Sequence, residues 1–160
     1  RSDALAACLI DAKGFRREDF AFFHPGGSLG RNLLLKVEDI MRKGQQYPKV
    51  KPNAKVKDVL FAITKFRCGS ACVVDLKGKL LGIFTDGDLR RHLKSGSAFL
   101  NDQVKTVMTK TPTTIVQDHL AAEALRLLEE KRIDEVPVVD AHGKSVGLLD
   151  VQDLLKAGIV

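Results

Sequence analysis

One pattern occurs twice in this chain, and it restricts the available folds more than any other feature. Val73, Val74, Asp75, Gly78, Lys79, Gly82, Asp88 and Leu89 return as Val138, Val139, Asp140, Gly143, Lys144, Gly147, Asp153 and Leu154, each displaced by 65 residues. Upstream, Met41-Arg42-Lys43 is echoed by Met108-Thr109-Lys110. Eight identities at one offset mark an internal repeat. A unit of about 60 residues buries too little surface to be robust alone, so the two halves are expected to pack against each other about a pseudo-twofold axis.

Each copy has the same element signals. In the first, Pro48–Val50 is a short extended segment, and Val56, Val59, Leu60 and Ile63 mark one face of a helix running to about Arg67. Val73-Val74 and Leu80–Phe84 read as the arms of a hairpin turned at Lys77-Gly78. Thr85-Asp86-Gly87-Asp88 then leads into a helical pattern, with Asp88 as cap or first-turn acid. In the second copy, Thr113–Val116 is strand-like and Asp118 is the expected cap of a helix with apolar face Leu120, Ala121, Ala124, Leu125 and Leu128. Strands at 136–139 and 145–149 and a helix at 151–157 complete it. Both copies therefore read β-α-β-β-α, with Lys94–Gln103 as a polar linker. Gly82 and Gly147, inside strand patterns, imply close approach of a ligand or another backbone.

A strand end that runs into a helix start presents free N–H groups beside a hydroxyl and a carboxylate, which suits an anion or a ribose. The carboxylate pairs Asp86/Asp88 and Asp150/Asp153 stand at these points; on the residues alone, helix capping accounts for them. The four histidines, His24, His92, His119 and His142, have no metal-ligand spacing, and no metal or cofactor is expected. The net charge of +6 comes without Trp, with one Tyr and without a nucleic-acid motif, so a solvated surface with some cations near a phosphate fits better than a nucleic-acid partner. No apolar run approaches a membrane span and no signal peptide is visible. Cys8, Cys68 and Cys72 lack CxxC spacing and read as reduced thiols of a cytoplasmic protein.

The N-terminal stretch has a different character. Residues 4–12 look like the end of an apolar helix, and His24-Pro25-Gly26-Gly27-Ser28-Leu29-Gly30 is a tight loop in which a lone His is more often structural. The chain opens with Arg1-Ser2 and no initiator Met, which reads as a piece of a longer protein.

Two β-α-β-β-α copies with Gly82-Ile83-Phe84-Thr85-Asp86-Gly87-Asp88-Leu89 resemble a tandem pair of CBS domains. The resemblance implies an α+β fold, with CBS domain 1 at 39–97 and CBS domain 2 at 104–160. It also implies a regulatory module that binds adenosine-type nucleotides or related ligands. The family's ligand motif, G-h-T/S-x-x-D, is matched by Gly82, Thr85 and Asp88. In the second copy Gly147 and Asp153 match, but Asp150 replaces the hydroxyl residue, which argues against a second equivalent phosphate site. Carried over in this way, Thr85 and Asp88 anchor phosphate and ribose, with Asp86, Asp150 and Asp153 beside them. Thr113, Thr114 and the Val136-Pro137 backbone line a base pocket, and Arg67, Arg90, Arg91 and Arg132 are candidate cations for an anionic ligand.

The leading segment, with Lys13-Gly14-Phe15, Glu18-Asp19-Phe20-Ala21 and His24-Pro25-Gly26-Gly27, resembles the arabinose-5-phosphate isomerase family, in which an α/β sugar-isomerase (SIS) domain precedes a CBS pair. Residues 1–36 would then be the tail of the SIS domain, and His24 would take the place of a catalytic His. The other catalytic residues would precede Arg1, so this piece alone is expected not to catalyse. The resemblance further implies a homo-oligomer, a dimer of CBS pairs within a tetrameric enzyme. It places that enzyme in Kdo and lipopolysaccharide biosynthesis, which makes CMP-Kdo the favoured ligand and AMP or ATP the alternative. A ligand-free structural or oligomerisation module is the rival reading.

Overall fold

A computed structural model describes residues 32–159. The helix expected over 4–12, His24 and most of the 1–36 tail lie outside them. In chain order the elements are α1 (Val37–Ile40), β1 (Lys49–Val50), α2 (Val56–Phe66), β2 (Ser70–Val74), β3 (Leu80–Thr85), α3 (Asp86–Leu93), β4 (Thr109–Lys110), β5 (Ile115–Val116), α4 (Ala121–Lys131), β6 (Glu135–Val139), β7 (Ser145–Asp150) and α5 (Val151–Lys156). One sheet has the order β1-β2-β3-β4 and the other β5-β6-β7. In both, a short strand pairs in parallel with the first arm of the hairpin, β1 with β2 and β5 with β6, and the hairpin itself is antiparallel. No described helix is long and apolar enough to cross a membrane.

The helices form where the apolar spacing is 3 to 4. Val56, Val59 and Ile63 bury one face of α2, and Ala121, Ala124 and Leu128 bury the matching face of α4. Both end on an arginine in the left-handed region, Arg67 (φ 53°) and Arg132 (φ 54°), whose N–H groups close the last turn. A side chain in this region costs about 1–2 kcal/mol relative to the right-handed helix, and here it recurs at equivalent positions of the two copies. The cap of α4 differs from expectation: Asp118 is exposed, and Glu123 instead accepts the Leu120 N–H at 3.0 Å.

The halves exchange strands. β4, which leads into the second copy, pairs with β3 of the first. The equivalent stretch ahead of the first copy pairs with the second: Arg42 and Leu148 exchange both backbone hydrogen bonds at 2.9 Å. The two strand glycines make this possible. A Cβ on Gly82 would stand 2.7 Å from the Thr109 carbonyl oxygen, and one on Gly147 2.7 Å from that of Arg42. The close approach is therefore of backbone, not of ligand.

The cores follow the exchange. Phe99, Val104 and Val107 pack with Val56, Val59, Val73 and Phe84, so the 94–103 segment, expected as a polar linker, supplies a buried aromatic to the first core. Met41, which falls within the expected first copy, and Val37 just ahead of it pack instead with Val136, Leu149 and Leu154 of the second. Each large apolar side chain so buried stabilises by about 1.5–3 kcal/mol. Tyr47, Cys72 and Leu148 fill the seam between the halves, where the Tyr47 hydroxyl meets Ser145 Oγ at 3.0 Å. Farther along the seam the hairpin turns hold each other: Leu80 N–H donates to the Gly143 carbonyl and Ser145 N–H to that of Gly78.

Candidate functional site

Antiparallel hairpins that end at helix starts bring four chain segments to one end of the seam. β3 delivers Thr85 to the start of α3, and β7 delivers Asp150 to the start of α5. Between them lies a cleft of about 820 Å³, with walls from both halves. Thr85, Asp86, Gly87 and Arg90 come from the first copy; Thr113, Arg132, Asp134, Glu135, Pro137 and Asp150 come from the second. Ile83, Pro112, Ile133 and Val151 add apolar surface. An apolar-walled cleft with a few convergent polar groups is the usual form of a small-molecule site.

The start of α3 is closely built. Thr85 caps it, accepting the Asp88 N–H at 3.1 Å, and Asp88 Oδ2 in return accepts the Thr85 N–H at 2.9 Å. Asp88 also receives the hydroxyls of Thr85 (3.1 Å) and Thr109 (2.9 Å) and pairs with Arg91. With 1% exposure and these donors, Asp88 is an internal brace and not part of the cleft wall. Of the expected anchors of this copy, Thr85, Asp86 and Arg90 face the cleft, while Arg91 is engaged on Asp88. Of the expected base pocket, Thr113 and Pro137 line the cleft; Val136 is buried in the second core and Thr114 is exposed away from it.

The start of α5 repeats the scaffold with other chemistry. Asp150 caps it by accepting the Gln152 N–H at 2.6 Å, and its own N–H donates to Asp153 Oδ2 at 3.0 Å. Asp153 is braced by Arg42, whose Nε lies 3.2 Å from it. Arg42 also donates to the Arg67 carbonyl at 3.2 Å and touches Cys68 Sγ at 3.0 Å. Asp153 and Arg67 line a second, shallower depression of about 560 Å³ together with Arg42 and Lys156. Four of the expected residues thus divide between two places: Arg132 and Asp150 at the cleft, Arg67 and Asp153 at the depression.

Sequence reasoning missed Glu135. It projects from the first residue of β6 across the seam, where Oε1 accepts the Gly69 N–H at 2.7 Å and Oε2 accepts the Ser70 hydroxyl. Its partner in the β6–β7 register is Asp150. Burial is the largest cause that pushes the Glu135 carboxyl up, to about 7, with Asp150 adding to it and the Ser70 and Gly69 hydrogen bonds opposing. The 65-residue offset held the signal: Ser70 and Thr85 of the first copy align with Glu135 and Asp150 of the second. A hydroxyl pair in one half is a carboxyl pair in the other. Among the described residues no cluster of His, Cys, Asp and Glu is arranged to hold a metal.

Comparison with known proteins fits this architecture. Over 158 residues the chain is 48% identical to arabinose 5-phosphate isomerase KdsD of Pseudomonas aeruginosa, and 43% identical to KdsD of Escherichia coli. Each alignment covers 99% of this chain but 48% of the relative, so the chain spans about half the length of the curated relatives it matches. Among solved structures, CBSX2 in complex with AMP superposes with a TM-score of 0.67 at 27% identity, covering 78% of this chain and 96% of that one. The CBS domain pair of MJ0100, in complex with 5′-methylthioadenosine and S-adenosyl-L-methionine, has a TM-score of 0.69 at 24% identity, covering 79% and 99%; it supports the fold alone. The CBS domain model matches residues 37–95 and again 104–159, and with two such units joined by exchanged strands the chain belongs to the CBS domain family as a tandem pair.

Proposed function

We propose that this CBS pair is the regulatory, nucleotide-binding module of an arabinose-5-phosphate isomerase, the enzyme that interconverts ribulose 5-phosphate and arabinose 5-phosphate. The observation that carries the reading is the cleft: Thr85, the first turn of α3, Arg90 and Arg132 stand beside apolar Ile133, Pro112 and Pro137, a setting for a phosphate next to a flat base. Support for the enzyme comes from the 48% identity to KdsD and from the His24-Pro25-Gly26-Gly27 loop, whose His would act in the complete catalytic domain. In that enzyme, a cytoplasmic homo-oligomer built on paired CBS modules, the ligand would shift the balance between two conformations of different activity.

The favoured ligand is CMP-Kdo, the activated sugar nucleotide at the end of the Kdo branch of lipopolysaccharide synthesis, acting in feedback. Its phosphate would lie near Thr85 and Arg90. Asp88, being spent on internal contacts, would act by holding Thr85 and Thr109 and not by touching the ligand. An adenine nucleotide is the second reading, favoured by CBSX2, a 27% identical neighbour solved with AMP. Calorimetric titration with CMP, CMP-Kdo, AMP and ATP separates them. Binding of the cytidine compounds supports feedback; binding of the adenine nucleotides alone replaces it with energy sensing. Silence from all four, with no thermal shift, favours a ligand-free structural module. A ligand at 100 times its Kd would raise stability by about 2.7 kcal/mol, so a real binder is readily seen.

A further inference from the structure

The cleft is not symmetric, although the scaffold around it is. At the start of α3 its polar wall is Thr85, with Ser70 beneath it in the β2–β3 register. At the start of α5 the corresponding groups are Asp150 and Glu135, paired across β6–β7 and both facing the cleft. Asp86 reaches the same corner: its Oδ2 and Glu135 Oε1 both lie within 3.7 Å of the point where a Cβ on Gly69 would stand. Glu135 faces Asp150 in register with Asp86 close by, and burial together with the Asp150 charge pushes the Glu135 carboxyl up to about 7, so Glu135 holds its proton into the neutral range. The other charged or titratable groups packed on Glu135 are few. Cys68 and Cys72 lie beneath it on the first-copy side, both with thiols pushed up by burial, and Arg132 lies across the cleft wall.

The two ends of the cleft therefore suit opposite ends of a ligand. A phosphate fits the Thr85–Gly87 turn with Arg90 beside it. It does not fit the α5 end, where Asp150 already takes the Gln152 N–H and brings its own negative charge. That end calls for donors.

Resting on the nucleotide reading above, we infer that Glu135 and Asp150 select the ligand and fix its polarity: the pair accepts hydrogen bonds from a donor group of the nucleoside, a ribose diol or an exocyclic amine, and Glu135 releases its proton to solvent as the ligand seats. Binding is then linked to pH with a defined sign. Donors favour the ionised Glu135, so affinity is full above the titration of the free Glu135 carboxyl near pH 7 and declines below it.

The test is calorimetric titration of the protein with adenosine and cytidine, which carry no titrating phosphate, and with AMP and CMP, at pH 6.5 and 8.5 and in two buffers of different ionisation enthalpy. The expected result is an affinity about four-fold higher at pH 8.5, with up to about three-quarters of a proton released at pH 6.5. Asp150→Thr, which copies the first-half hydroxyl, and Glu135→Gln, which keeps shape, should each flatten the profile; melting curves confirm that the variants fold. 2′-Deoxyadenosine and inosine assign the donor to the sugar or to the amine. Affinity that falls with pH, or binding with no proton release, or an unchanged slope in both variants overturns this inference while leaving the nucleotide reading intact. Absence of binding by every probe at both pH values overturns the nucleotide reading and takes this inference with it.

Discussion

Thr85 and Asp150 occupy equivalent places in the two halves, and each caps the helix that follows it. Both receive the same treatment from the scaffold: the residue's own N–H donates to an Asp three positions on, Asp88 at 2.9 Å and Asp153 at 3.0 Å. Thr and Asp are both good N-caps, so the fold is served by either. What differs is the surface each presents to the cleft, a neutral hydroxyl against a carboxylate. The braces differ as well, Thr109 and Arg91 on Asp88 against Arg42 on Asp153. Where a position has a structural duty that two residue types discharge equally, the choice between them is left to binding chemistry. The repeat thus keeps its architecture while its two cleft walls diverge.

The largest way to break this comparison is at the glycines that both halves share. Gly147→Val forces a side chain onto the Arg42 carbonyl and Gly82→Val onto that of Thr109, and each should cost about 3 kcal/mol, at the upper end for overpacking. The two losses should be similar in chemical denaturation; a mild effect at one position would mean that its exchanged strand is dispensable.

Next come the braces. Asp88→Ala removes a buried acceptor and strands the Thr85 and Thr109 donors, and should cost about 2–3 kcal/mol. Asp153→Ala, which removes the partner of Arg42 and the acceptor of the Asp150 N–H at a less deeply buried site, should cost less, about 1–2 kcal/mol. Equal losses in paired urea melts would mean that the two braces carry the same weight.

A smaller effect sharpens it through pH. Burial holds the Glu135 carboxyl above its unfolded value, so its protonated form is the one the fold prefers. Its contribution is fully present below about pH 4.5 and is lost as pH rises through about 7. Melting temperature should therefore decline between pH 5 and 8, and Glu135→Gln should reduce that decline; Ser70→Ala, which removes a hydrogen bond that holds the Glu135 carboxyl down, should steepen it. Smallest is Thr85→Asp, which makes the first wall like the second. The cap is kept but the hydroxyl donated to Asp88 Oδ2 is lost, so stability should fall by about 0.5–1 kcal/mol, while nucleotide affinity falls.

Much of this was visible in the residues. The fixed offset carried the two-half architecture, the 3-to-4 spacing carried α2 and α4, and Gly82 and Gly147 announced a close approach. The identity of what approached was not visible, because one exchanged segment is a two-residue strand and the other a single bridging residue, too short for any alternation to detect. For the same reason Val37 and Met41 read as belonging to the copy they precede. Motif matching identified Asp88 but not its burial, since an Asp at the third helical position serves a capping box as well as a ligand. Glu135 lies in no motif. Its importance comes from its register with Asp150 and from Gly69 and Ser70 across the seam, relations that exist only once the sheets are assembled.

The exchange of strands also bears on how the chain reaches this state. Arg42 and Asp153, which meet at the seam, are separated by 111 residues. The first core closes on its own stretch, from Val50 to Met108, whereas the second cannot gain Val37 and Met41 until the ends of that span have found each other, so its loop-closure entropy must be lost before the contacts that compensate it form. The two halves are thus kinetically unequal: the first should form from its own segment, and completion of the second, which waits for the long closure, should be the slow step.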